Sequence, residues 1–181
     1  MNSSSPRPSS RLLLVLAAVA VTLLGLVAPA SAAAPYCGIT WGSMPKEAGG
    51  PAGADGPTLT GVRAGHHACF DRVVVDVAGD PGAGYLVQYA PVFTEGKGDR
   101  VPLRGAADLQ VIVFAPAPTL GNGSHLVRTT GPTILQVASA GSFEGQTTLG
   151  VGARARLPFR VFVLAGPGSG GRVVLDVAHH W

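Results

Sequence analysis

The sequence predicts an all-β protein: a β-sandwich of two related halves, built from short strands and Gly/Pro turns, with little or no helix outside an N-terminal export segment. Three observations lead there. From Thr58 onward, apolar residues alternate in short runs, several of them separated by turn-rich stretches such as "AGDPGAG", "APTLGNGS" and "AGPGSGG". No stretch of a dozen residues carries a 3.6-residue period with helix caps. One strand pattern occurs twice, as "DRVVVDVA" at 71–78 and "GRVVLDVA" at 171–178.

Taken from the N-terminus, the first element is a signal peptide, residues 1–32. Arg7 and Arg11 precede an apolar run from Leu12 to Val27, and "APASA" ends it with Ala30 and Ala32 at the cleavage positions. The run is short of the ~20 residues that a membrane span needs. Residues 33–57 hold "GSMPKEAGGPAGADGP" and read as an extended or mobile Gly/Pro/Ala-rich arm. Residues 58–181 form the domain, with strands expected near 58–63, 69–78, 85–90, 109–115, 133–139, 143–152, 159–165 and 172–180.

The expected compartment is extracytoplasmic, secreted or associated with the cell wall. Both cysteines, Cys37 and Cys69, remain after cleavage, and an even count in an exported chain predicts a disulfide. The bridge would staple the N-terminal arm to the start of the first long strand. Removing Arg7 and Arg11 leaves the charge almost balanced, and no basic cluster interleaves with aromatics. Nucleic acid is therefore not an expected partner.

Parity gives each copy of the repeat two faces. Val73, Val75 and Val77 lie on one side of their strand and Arg72, Val74 and Asp76 on the other. Val173, Leu175 and Val177 oppose Arg172, Val174 and Asp176 in the same way. The Arg–Val–Asp sides predict half-exposed ion pairs across strands. The apolar sides make the last strand a core strand, with Trp181 in phase with that core.

Apparent catalytic motifs fail on context. "GPGSGG" at 166–171 has dinucleotide-loop spacing but opens a strand, not a helix. "GSFEG" at 141–145 lacks the spacing of a nucleophile elbow. Ser142, Asp176 and His179 do not form a triad, because Asp176 and His179 differ in parity. Adjacent histidines, His66–His67 and His179–His180, point to opposite faces of a strand, so neither pair chelates as a unit. One histidine from each pair can meet, since both flank the repeated strands, but no acid stands at an obvious third-ligand spacing. The expectation is no metal, no cofactor and no enzymatic activity. The competing possibility is a small cell-wall hydrolase using His67, His179 and Glu144.

The two "RVV-[VL]-DVA" strands, "SFEGQTTLGVG" at 142–152 and "LPFRVFVL" at 157–164 give residues 58–181 a clear likeness. The region resembles the AMIN-like domain family of exported actinobacterial proteins. That family is similar in turn to the AMIN domain, a β-sandwich of two related halves that accompanies cell-wall amidases and secretin-type proteins. The resemblance implies localisation and peptidoglycan binding, or an envelope protein as partner.

In "SFEGQTTLGVGARARLPF", Phe143, Thr147, Leu149 and Val151 share the core-seeking parity. Glu144, Gln146 and Thr148 share the other, and Arg154 and Arg156 continue it if the strand does. An acid, an amide, a hydroxyl and two guanidiniums suit glycan hydroxyls and peptide carboxylates. These five residues are the expected binding row. Trp41, Tyr85 and Tyr89 are candidates for a sugar-stacking platform.

Overall fold

The computed structural model describes residues 35–50 and 56–181; the expected signal segment, 1–32, lies outside the described residues. Ten strands follow a 3-10 turn at Tyr36–Gly38. They are β1 (Lys46–Ala48), β2 (Thr58–His66), β3 (Phe70–Ala78), β4 (Tyr85–Tyr89), β5 (Ala107–Val113), β6 (His125–Val127), β7 (Ile134–Phe143), β8 (Gln146–Ala153), β9 (Phe159–Ala165) and β10 (Gly171–Ala178). All pairings are antiparallel. A six-stranded sheet runs β1-β4-β5-β8-β7-β6 and a four-stranded sheet runs β2-β3-β10-β9. All eight expected strands are present. The two additions, β1 and β6, have three residues each, too few for alternation to show.

Two boundaries shift for local reasons. The stretch expected as one strand over 143–152 contains a hairpin turn at Glu144 and Gly145, whose φ values are 48° and 83°. Two adjacent residues at positive φ match the right-handed twist of the strands they join. β7 therefore extends through Phe143, which is 53% exposed and does not join the core. The Gly/Pro/Ala-rich arm is also more ordered than expected. Its residues 46–48 add a strand to the β4 edge, and Gly42 bridges Phe159.

The core lies between the sheets. Val73, Val75, Val77, Val173, Leu175, Val177 and Phe159 from one sheet meet Val87, Leu109, Val111, Val113, Val137, Leu149 and Val151 from the other. The apolar parity of the repeat is thus the inward face. Trp181, three residues past the end of β10, is 72% exposed and sits outside this core.

The repeated strands are neighbours. β3 and β10 pair at the centre of the four-stranded sheet with Arg72 opposite Asp176, Val74 opposite Val174 and Asp76 opposite Arg172. An Arg-x-x-x-Asp strand turned antiparallel on its own copy places opposite charges across from each other at both ends. The expected disulfide is present: Cys37 and Cys69 are bridged, tying the N-terminal turn to the β2–β3 connection.

Candidate functional site: an arginine and aromatic strip beside the open sheet

The five residues of the expected binding row do not form one exposed face. Glu144 is exposed in the β7–β8 turn and Gln146 is half-buried. Thr148 is only 1% exposed, and its hydroxyl donates to Glu95 Oε1 at 2.5 Å. Beyond it, a Cβ on Gly150 would lie 2.9 Å from Leu103 Cδ1, and one on Gly152 would lie 2.2 Å from the Arg104 carbonyl oxygen. The connection between β4 and β5 lies over this side of the sheet. Its Val92, Val101 and Leu103 build a small second core with Ala138 and Ala140. β8 ends at Ala153, so Arg154 and Arg156 belong to the β8–β9 connection, at the opposite end of the strand from Glu144. Parity assigns a residue to a face; it does not say whether a loop covers that face.

The two arginines instead join a second group of residues. Arg154 Nη2 donates to the His179 carbonyl at 2.8 Å. Arg156 lies over the Tyr89 ring, 4.8 Å from its centroid, and its backbone carbonyl accepts from Trp181 Nε1 at 3.2 Å. The Arg156 guanidinium reaches the Ser43 carbonyl at 3.5 Å. Two residues before Ser43, Trp41 lies 5.5 Å from the Arg160 guanidinium, which also lies 5.1 Å from the Phe162 ring. A strip of three arginines and four aromatic rings therefore follows the β9 side of the sandwich. Trp181, Arg154 and Arg156 are exposed along it, while Trp41, Tyr89, Arg160 and Phe162 are half-buried.

Of the expected stacking residues, Tyr85 is buried and Tyr89 is anchored, donating from its hydroxyl to the Leu157 carbonyl at 2.7 Å. Burial raises the Tyr89 phenol above its ordinary pKa, against the opposing pull of the Leu157 N–H, which donates to the phenol oxygen at 3.0 Å, and of Arg156. Trp41 is fixed by donation from Nε1 to the Tyr36 carbonyl at 2.8 Å.

Under the strip lies an ion network. Asp176 is fully buried. It accepts from Arg72 Nε at 2.6 Å, Arg72 Nη2 at 2.9 Å and Arg160 Nε at 2.8 Å. The Arg72 guanidinium is held above its ordinary pKa, chiefly by the hydrogen bonds to Asp176. The cross-strand pairing expected from the repeat is therefore formed, with its carboxylate buried rather than half-exposed. The other end of the repeat behaves differently. Asp76 is taken by Arg63 on β2 through two 2.7 Å hydrogen bonds, and Arg172 turns to the Ala165 carbonyl at 3.1 Å. Arg172 Nε is buried without a partner among the described residues.

One further cluster sits at the end of β2, β3 and β10. Asp71 Oδ1 lies 2.9 Å from His66 Nδ1 and 3.1 Å from His179 Nε2, and the two imidazoles stack with centroids 5.1 Å apart. Asp71 Oδ2 accepts from the backbone N–H of Thr133 at 2.7 Å and of Ile134 at 2.9 Å. Burial alone would push this carboxyl up. The four hydrogen bonds outweigh it and hold Asp71 below its ordinary value. His179 is buried, not at a solvent-facing strand end. The set proposed for a hydrolase is not assembled: His67 stacks on Phe70, and Glu144 is at the far end of β8 from His179.

Sequence reasoning did not single out Glu95, Asp71 or Arg160. Glu95 and Arg160 carry no local signal, since their partners come from distant strands. Asp71 could be found by noting that it is the first residue of the repeat, five positions after His66.

These features define, among the described residues, a two-sheet antiparallel sandwich with one outer face covered by a loop and the other bordered by arginines and aromatic rings. Residues 57–179 match the AMIN-like domain, and the chain belongs to that family. Among curated proteins and among solved structures, none matches the chain. Family membership suggests a non-catalytic module associated with the cell envelope. The disulfide is consistent with an extracytoplasmic location. Among the described residues, no helix is long and apolar enough to cross a membrane.

Proposed function

We propose that the protein is an exported, non-catalytic binding module that docks on the peptidoglycan of the cell wall through the strip along β9. The observation that carries this reading is the run Arg154, Arg156, Arg160 with Trp41, Tyr89, Phe162 and Trp181 on one side of the sandwich. Guanidinium forks match the carboxylates of stem peptides, and half-exposed rings offer faces for sugar stacking. Arg154 and Arg156 keep the binding role expected of them from the sequence. Glu144, Gln146 and Thr148 stand away from this strip and have no part in the reading.

The surface is shallow, so single-site affinity is weak and depends on charge. Co-sedimentation with purified sacculi tests this. Wild type is expected to pellet at low salt and to be released as salt rises. Arg154→Ala/Arg156→Ala, checked for folding by its far-ultraviolet spectrum, is expected to pellet several-fold less. Equal pelleting of both proteins would clear the strip of the role. If wild type fails to pellet at any salt but retains one protein from an envelope extract, the ligand is a protein partner instead. A clearing zone on cell-wall zymograms would overturn the non-catalytic reading.

A further inference from the structure

We infer that His66, Asp71 and His179 form a binding site for a divalent cation of zinc's class. The three offer His66 Nδ1, Asp71 Oδ1 and His179 Nε2, all within 4.8 Å of one another. Two imidazole nitrogens and one carboxylate oxygen are a donor set that suits zinc, with a fourth position left for water. Bonds of ~2.0–2.1 Å in a tetrahedral array separate ligand atoms by roughly 3.3 Å. The present nitrogen–oxygen separations of 2.9 and 3.1 Å need to open by only a few tenths of an ångström.

The fold brings the three ligand residues together before any ion arrives. His66 ends β2 and Asp71 lies near the start of β3, joined by a tight connection in which His67 N–H donates to the Phe70 carbonyl at 2.9 Å. His179 follows β10, the other neighbour of β3, and its N–H donates to the Cys69 carbonyl at 3.0 Å. The disulfide at Cys69 holds the same connection to the N-terminal turn. The Thr133 and Ile134 amides grip the second oxygen of Asp71 and set the direction of the first, as outer-shell donors do around a metal-bound carboxylate. Thr133 also carries a buried hydroxyl with no partner.

Access and adjustment fall to one residue. The His66 side chain is 46% exposed, while those of Asp71 and His179 are almost enclosed. The two rings now lie nearly parallel, 14° apart, so their lone pairs do not converge. Binding therefore requires the exposed His66 ring to re-orient, while Asp71 and His179 stay in place. Each imidazole then carries its remaining proton on the nitrogen away from the metal, Nε2 in His66 and Nδ1 in His179. The expectation of no metal from the sequence rested on the lack of an obvious third ligand; Asp71 supplies one.

The test is calorimetric titration of the tag-free mature protein with zinc chloride, with cobalt(II) as a spectroscopic probe. One zinc per chain is expected, and cobalt is expected to give the visible bands of a four-coordinate ion. His66→Ala, an exposed position that leaves the fold intact, is expected to weaken zinc binding about tenfold or more and to abolish those bands. His67→Ala and His180→Ala, each one residue from a proposed ligand, are expected to bind within about twofold of wild type. No saturable uptake by wild type would overturn the site. So would an unchanged His66→Ala, or equal losses in His66→Ala and His67→Ala.

Discussion

The outer faces of the two sheets carry side chains of different size and end in different states. On the six-stranded sheet, the outward row of β8 runs through Gln146, Thr148, Gly150 and Gly152, and the β4–β5 connection closes over it. Thr148 finds its partner in Glu95, and two glycines leave room for Leu103 and Arg104. On the four-stranded sheet the outward rows carry Arg63, Arg72, Val74, Asp76, Arg160, Phe162, Arg172 and Asp176. Arginine stems and rings cover that face while their heads stay at the surface. A face of small residues accepts a loop, and a face of long charged residues covers itself with its own stems and rings. The side chains of each face thus decide whether chain or solvent lies over it.

That contrast can be broken at three places. The largest effect is expected for Asp176→Asn on the open face. It leaves Arg72 and Arg160 close together without their buried counter-charge, a loss of about 3–5 kcal/mol of the kind seen when one partner of a buried pair is removed. Chemical denaturation with wild type alongside measures it. A change below ~1 kcal/mol would mean that the rings alone hold the two guanidiniums.

The covered face is sharpened by a matched pair of substitutions. Gly152→Ala drives a methyl group into the Arg104 backbone and is expected to cost about 2 kcal/mol by displacing the overlying connection. Gly65→Ala on the open face meets nothing within 4 Å and is expected to change stability by under ~0.5 kcal/mol. Similar midpoints for the two variants would show that the connection is not packed on β8.

The third place is where the β6–β7 connection is fastened to β3. The Asp71 carboxyl titrates below its ordinary 3.8 in the folded state. Its contribution is therefore fully present above that value and is lost as pH falls through the folded-state value. Wild type is expected to lose stability over that acid range, and Asp71→Asn to show a flatter profile there. Both are compared in chelator, so that no bound ion contributes. Parallel profiles would remove Asp71 from the acid response.

Much of this fold was legible because alternation is local. "DRVVVDVA" shows both of its faces without reference to the rest of the chain, and so do the other long strands. The disulfide followed from two cysteines and an export segment. The pieces that escaped depend on distant partners. Nothing near Thr148 signals that residues 92–104 lie over it, and nothing near Trp181 signals that the last strand stops at Ala178. Arg154 and Arg156 continue the β8 row only if the strand does; it ends just before them, and they reach the candidate strip by way of a loop. The histidines show the same limit. Spacing along the chain could not reveal that Asp71 stands between His66 and His179, because only the pairing of β2, β3 and β10 brings them together.

The antiparallel register of β3 on β10 has a consequence for how such a domain is put together. A strand that reads Arg-Val-Val-x-Asp is its own complement, so a copy turned end for end satisfies it. Two separate chains carrying it would meet as an isologous dimer about a twofold axis between their two central valines. Here both copies are on one chain, and the axis passes between Val74 and Val174. Covalent linkage makes this a pairing at high effective concentration, independent of how dilute the protein is. The domain can be described as a homodimer contact drawn inside a single polypeptide. The symmetry stops at the backbone: at one end Asp176 is shared by two arginines, and at the other Asp76 is taken by Arg63 while Arg172 turns to the Ala165 carbonyl.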